Sequence, residues 1–185
     1  MVYLLLADGF EEIEAITPCD LLRRAGVDAK LVGVGGGRIR GSHGIAVETD
    51  LLLEEAAGVL PEMVVLPGGR RGVDTLLASP AALDLVKRCW QAGKYVAAIC
   101  AAPTLLAKLC ITDGCRATCY PGMESQMGPA QMQNAAAVRD GRLITGRSAG
   151  CSMQFALALV DALCGEHTAR KISEGVVFPY PDDVK

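Results

Sequence analysis

The sequence predicts an α/β fold, a mostly parallel sheet with helices on both faces, and three observations carry that expectation. Strand-like segments at 2–7, 29–34, 63–66, 95–99 and 142–145 alternate with helical patterns at 11–25, 80–92, 103–109 and 148–164, as in strands joined in parallel through helical crossovers. The runs VVLP and VAAI are continuously apolar, which suits strands covered on both faces; a strand with one wet face would alternate. Finally, 185 residues with 51% hydrophobic content can bury one core and are short for two, so residues 1–185 read as a single domain.

Taken in order, the first strand, VYLLLA, runs into ADGFEEIEAI, where acids fill a first helical turn and complement its macrodipole. Ile13 and Ile16 are expected to mark the core face of that helix, with Glu14 drawn inward beside them and Glu11 and Glu12 left in solvent. The Gly-rich stretch GGGRIRGSHGIAVETD reads as a hairpin over the sheet edge, because glycines punctuate short β segments. Its glycines are not a phosphate loop, since no Lys-Ser/Thr pair and no helix follow. LPGGRRG at 66–72 is a strand end turning sharply. In KYVAAICAAPTLLA, strand 95–99 gives way to a helix in which Pro103 suits the first turn. The closing GVVFPYPDDVK reads as an irregular tail.

Cys100 occupies the joint between that strand and that helix. In open parallel sheets, ligands bind beyond the carboxyl ends of the strands. A helix start also offers free N–H groups and a partial positive charge, which can bring a cysteine from about 8.5 down to between about 3.5 and 7.5. Cys100 is therefore expected to be a thiolate nucleophile. Glu14 is its expected partner: a buried carboxyl keeps its proton to higher pH and can shuttle it to the thiol, so that the two titrate as a pair. The glycine pair after Pro67 lets main-chain amides approach a ligand, as an oxyanion pocket needs, although a tight strand-to-helix connection is the commoner reason for such a pair.

The two histidines, His43 and His167, leave few candidates for a cysteine–histidine dyad. His43 could reach the site from its turn, whereas His167 reads as solvated. Cys115 and Cys119, expected on one strand face, have no histidine at metal-ligand spacing, so no metal is expected. Cys19, Cys89, Cys110, Cys151 and Cys164 read as core fillers. The eight cysteines are scattered through apolar stretches with no basic leader or cleavable segment before the first strand. Reduced thiols in a cytoplasmic protein follow, and no apolar run approaches the ~18 residues of a membrane span. A net charge of −3 without a basic stripe argues against a nucleic-acid partner.

The segments ADGFEEIEAITPCDLLRRAG, VVLPGG, AAICAAPTLLA and GRSAGCSMQFALALVDAL together resemble the ThiJ/PfpI superfamily, in its Parkinsonism-associated deglycase branch, over essentially the whole chain. The resemblance implies a flavodoxin-like sandwich, a homodimer and cofactor-independent chemistry on reactive dicarbonyls or their adducts, of glyoxalase or deglycase type. It assigns the nucleophile to Cys100, the protonated acid to Glu14, and the anion-binding amides to Gly69 and Ala101. Two positions depart from the family pattern: Tyr120-Pro121 stands where some members have His-Pro, and His43 where a hairpin arginine is common. Ala101 replaces the histidine that follows the nucleophile in the protease branch, so proteolysis is not expected. Two other readings accompany the resemblance, a redox stress sensor or chaperone in which Cys100 is oxidised to sulfinate, and a link to thiazole monophosphate biosynthesis. Enzyme and sensor need the same thiol, and the residues alone do not separate them.

Overall fold

The structure is a computed structural model, and it describes residues 1–180. Seven strands form the central sheet: β1 (Val2–Leu6), β2 (Ala29–Gly33), β5 (Leu51–Leu52), β6 (Met63–Leu66), β7 (Tyr95–Ile99), β10 (Ala137–Asp140) and β11 (Leu143–Gly146). Their order is β10-β11-β7-β6-β1-β2-β5, and every pairing is parallel except β10 with β11. In the register, Val2 lies between Ala29 and Met63, Met63 faces Tyr95, and Val96 faces Leu143. The expected mostly parallel α/β sandwich is the observed one.

The sheet divides the core in two because successive side chains of a strand point to opposite faces. Leu4, Leu6, Met63, Val65, Ala97 and Ile99 pack on one side with α1 (Glu12–Arg24), α6 (Ser152–Cys164) and α7 (Glu166–Gly175), through Leu22, Phe155, Leu159 and Ala169. Tyr3, Leu5, Val64, Leu66, Val96 and Ala98 pack on the other with α2 (Leu53–Ala56), α3 (Arg70–Leu77), α4 (Pro80–Gln91) and α5 (Pro103–Lys108), through Leu53, Leu76, Leu85 and Leu105. Ser79 caps α4, accepting from Ala82 N, and Pro80 supplies its first residue, a placement that costs no hydrogen bond. Two small sheets complete the chain: the antiparallel hairpin β3 (Arg38–Arg40) and β4 (Ala46–Glu48), and the parallel pair β8 (Arg116–Ala117) and β9 (Gln131–Met132). Among the described residues no helix is long and apolar enough to cross a membrane.

Several sequence expectations need correction. Ile13 and Ile16 do not face the core; they are 54% and 40% exposed. The buried face of α1 is Ala15, Pro18, Cys19, Leu21 and Leu22, at helical spacing, together with the carboxylates of Glu12 and Glu14 in its first turn. The hairpin lies over the β1–α1 loop rather than the sheet edge, with Gly9 N donating to Arg40 O and Ser42 N to Phe10 O. The last long helix begins at Ser152, after a single 3-10 turn at Ala149–Cys151. Cys110 is exposed and Cys151 and Cys164 are half-buried; of the five expected core fillers only Cys19 and Cys89 are buried. Cys115 and Cys119 flank the two-residue β8 instead of sharing a strand face. Residues 176–180 are irregular, as expected, and the remainder of the expected tail lies outside the described residues.

Candidate functional site

Cys100 follows the last residue of β7 and has φ +65°, a left-handed conformation that costs an L-residue about 1–2 kcal/mol. Both of its backbone polar groups are held: Cys100 N donates to Gly146 O at 2.9 Å, and Cys100 O accepts from Tyr120 N at 2.8 Å. The neighbouring strand β11 and the 120–123 turn thus fix the elbow from two directions. Pro103, not Cys100, opens α5, and two residues intervene. The expected stabilisation of a thiolate by that helix start is therefore weak, since the dipole acts within its first turn. Burial instead pushes the Cys100 thiol up to about 12, with the nearby charge of Glu14 adding to the rise and the backbone amides of Ala101 and Gly69 opposing it.

Glu14 is fully buried beneath the elbow. Its Oε2 accepts from Gly68 N at 2.8 Å, while Oε1 is buried without a donor in hydrogen-bonding geometry. An orphaned carboxylate oxygen away from water favours the protonated form. Burial pushes the Glu14 carboxyl up to about 7, against the opposite pull of the neighbouring Cys100 thiol and the Gly68 amide. The pair therefore shares its protons. With Glu14 neutral, its carboxyl can donate to sulfur and its charge no longer opposes a thiolate; with Glu14 ionised, the proton stays on sulfur.

Gly68 and Gly69 make this approach possible. A Cβ on Gly68 would lie 2.4 Å from Glu14 Oε2 and 2.7 Å from Cys100 Cβ. Gly69 has φ +83°, and a Cβ there would lie 2.3 Å from Gly9 O. No side chain larger than hydrogen fits either place without displacing the acid or the backbone beside it. The family resemblance implies a role for the Gly69 amide alone, whereas the need for Gly68 is legible in the sequence only as the other member of the glycine pair after Pro67.

A cavity of about 470 Å³ opens over the sulfur, lined by Glu11, Gly69, Arg70, Cys100, Ala101, Tyr120, Pro121, Gly122, Met123 and Gln126. The structure thus brings together Cys100, Glu14, Gly69 and Ala101. It does not bring His43 to them. His43 sits on the hairpin with Nδ1 3.0 Å from Glu12 Oε2, its backbone N donates to Glu12 Oε1 at 2.8 Å, and it lies outside the cavity lining. Glu12 is correspondingly buried rather than solvated. Although burial raises its pKa, the His43 ring and the amides of Glu12, His43 and Ile45 outweigh it and hold the carboxyl down to about 2. His43 rises in turn, through its hydrogen bond to Glu12 and then the charges of Glu11 and Glu12. Glu11, Glu12 and His43 form a metal-ligand-like group, but their donor atoms already engage one another and the hairpin amides. Tyr120, which stands where some family members have histidine, borders the sulfur cavity together with Met123 and Gln126, for which the sequence carries no signal, because the 120–126 segment folds over the elbow.

Residues 1–162 match the DJ-1/PfpI family. The protein dj-1beta of Drosophila melanogaster is 35% identical over 179 residues, covering 95% of this chain and 96% of its own. Its crystal structure superposes with a TM-score of 0.93, covering 97% of this chain and 98% of its own at 35% identity. The Parkinson disease protein 7 homologue of Danio rerio is 34% identical, covering 94% of this chain and 95% of its own. A deglycase of Pyrococcus abyssi is 34% identical over 151 residues, covering 80% of this chain and 90% of its own.

Proposed function

The chain belongs to the DJ-1/PfpI family, and from that premise we propose that it is a cysteine-dependent enzyme acting on reactive dicarbonyls or their adducts, of glyoxalase or deglycase type. The observation that carries this reading is the pairing of a half-buried thiol with a buried carboxyl whose pKa is brought to about 7. An acid–base group is most effective when its pKa lies near the working pH. The deglycase named among the relatives supports the same class of substrate.

For a 2-oxoaldehyde the steps balance without an external oxidant. Cys100 Sγ adds to the aldehyde carbon as the proton of the pair passes to the carbonyl oxygen, giving a hemithioacetal. Ionised Glu14 then takes the hydrogen from that carbon and returns it to the adjacent one, so the first carbon is oxidised and the second reduced through an enediol. Water cleaves the resulting thioester to a hydroxy acid and restores the thiol. The amides of Gly69 and Ala101, directed at the sulfur, would steady oxyanion charge during addition and hydrolysis.

The protein would work as a single cytoplasmic domain and as a homodimer. Exposed Ile13 and Ile16 on α1, with exposed Ile45 on the hairpin that Glu12 holds against it, favour a self-association face. The test of the activity is lactate formation from methylglyoxal. Many lactates per subunit are expected from wild type, a loss of several orders of magnitude in Cys100→Ser, and near-normal rates in Cys115→Ser and Cys119→Ser. Equal loss in all three would remove Cys100 from its role. Sulfinate accumulating on Cys100 under mild peroxide, without lactate from any substrate, would favour the sensor reading instead.

A further inference from the structure

A second cavity, of about 380 Å³, adjoins the first and is lined by Asp8, Gly9, Arg40, Gly41, Ser42, Arg70 and Arg71. Arg70 borders both cavities and is the wall between them. Three guanidinium groups against one carboxylate make this space cationic, and their charges are largely uncommitted. Arg40 gives Nη1 to Gly44 O at 2.9 Å, and Asp8 Oδ1 is occupied by the backbone N of Arg40 at 2.8 Å. The side chains of Arg70 and Arg71 have no hydrogen-bond or ion-pair partner among the described residues.

The cavity is also shaped around an arginine. Gly9 has φ +89°, and a Cβ there would lie 2.6 Å from Arg71 Cβ and 2.8 Å from its Cγ. The stem of Arg71 therefore lies against a backbone that carries no side chain. Guanidinium groups match carboxylate and phosphate oxygens in a planar, bidentate manner, and two of them begin α3, whose dipole adds to the same preference.

We propose that Arg70, Arg71 and Arg40 form an anion-binding subsite beside Cys100, so that the preferred carbonyl substrates carry a carboxylate or phosphate a few bonds from the reacting aldehyde. The specificity claim rests on the dicarbonyl reading above; the subsite itself does not. Arg70 would contact the anionic group at the mouth of the sulfur cavity, with Arg71 and Arg40 receiving it in the second.

The test compares alkylation of Cys100 by iodoacetate, which is anionic, with iodoacetamide, which is neutral and similar in size, in wild type and in the double variant Arg70→Gln/Arg71→Gln. The labelled Cys100 peptide is quantified by mass spectrometry. Any change in thiol ionisation affects both reagents alike and cancels in their ratio. The iodoacetate-to-iodoacetamide ratio should fall by about tenfold in the double variant and with rising salt, and recover in Arg70→Lys/Arg71→Lys. A ratio within twofold of wild type overturns the subsite.

The second arm measures kcat/KM for dioxovalerate, which carries a carboxylate, and hydroxypyruvaldehyde phosphate, each relative to neutral methylglyoxal. Both relative values should drop in the double variant, and the larger drop identifies the anion that is read. An arginine-dependent alkylation ratio without turnover of any dicarbonyl would sustain the subsite and overturn the enzymatic reading. Turnover with an unchanged ratio would do the reverse.

Discussion

Glu12 and Glu14, two residues apart, are both buried and end in opposite protonation behaviour because of what surrounds them. Glu14 meets one amide and a thiol, and its other oxygen has no donor; Glu12 collects a histidine ring and the hairpin amides. Net hydrogen bonding decides the sign where burial alone would raise both. Glu12→Gln is accordingly expected to destabilise the fold by about 1–3 kcal/mol at pH 7, since a buried acceptor for several donors is lost. The pH dependence follows from its depressed pKa. The stabilisation is fully present above the unfolded value of 4.5 and is lost as pH falls through the folded value of about 2. Denaturation profiles of wild type and Glu12→Gln should therefore converge on acidification; a constant gap down to pH 2 would show that packing, rather than the ionised clamp, carries the effect.

At the scale of elements, the site exists because the carboxyl ends of four interior strands and one hairpin meet at the same end of the sheet. β7 delivers Cys100, β6 delivers the glycine pair, β1 leads to α1 with its two buried acids, and β11 anchors the elbow through Gly146. Gly68→Ala should cost activity by at least a hundredfold and lower stability by roughly 1–3 kcal/mol, because the added methyl occupies space held by Glu14 and Cys100. Unchanged lactate formation and melting temperature in that variant would contradict the tight approach of β6 to the acid. Much of this layout was legible in the sequence, since continuous apolar runs mark strands buried on both faces and Pro103 marks a helix start. Other elements carried weaker signals. α3 begins inside the glycine turn with two arginines and no cap residue, and β10 hides in NAAAVRD, whose only marker is the Asp140-Gly141 turn leading into β11. The inward face of α1 is legible from Ala15 onward, where Ala15, Pro18, Cys19 and Leu22 keep helical spacing; in the first turn burial falls on Glu12 and Glu14 and exposure on Ile13, a reversal that a polarity pattern does not report.

Over the whole molecule, the two core clusters leave the α1 and hairpin side with apolar residues that nothing in the described chain covers. Ile13, Ile16 and Ile45 are each at least 40% exposed, and the backbone N of Ile45 donates to Glu12 Oε1 at 3.4 Å, which fixes the hairpin to α1. Ile13→Glu should shift the protein from dimer to monomer in sedimentation velocity while leaving its circular dichroism intact, since a charge on an apolar interface is costly to desolvate. A wild-type protein that sediments as a monomer at tens of micromolar would show that these residues do not form a dimer face. The cationic cavity at Arg40, Arg70 and Arg71 and the sulfur cavity lie at the same end of the sheet, giving the molecule one chemically distinctive pole.

The most direct measurement concerns Glu14→Gln, followed both by lactate formation and by the rate of Cys100 alkylation with iodoacetamide. Gln retains the shape and an N–H donor but cannot accept and release a proton, and it removes a charge that raises the Cys100 pKa. Lactate formation is expected to fall by about a hundredfold or more while alkylation between pH 7 and 8 stays the same or becomes faster. Parallel loss of both rates would mean that Glu14 only holds the thiol in place, and normal turnover would mean that the proton travels by another group.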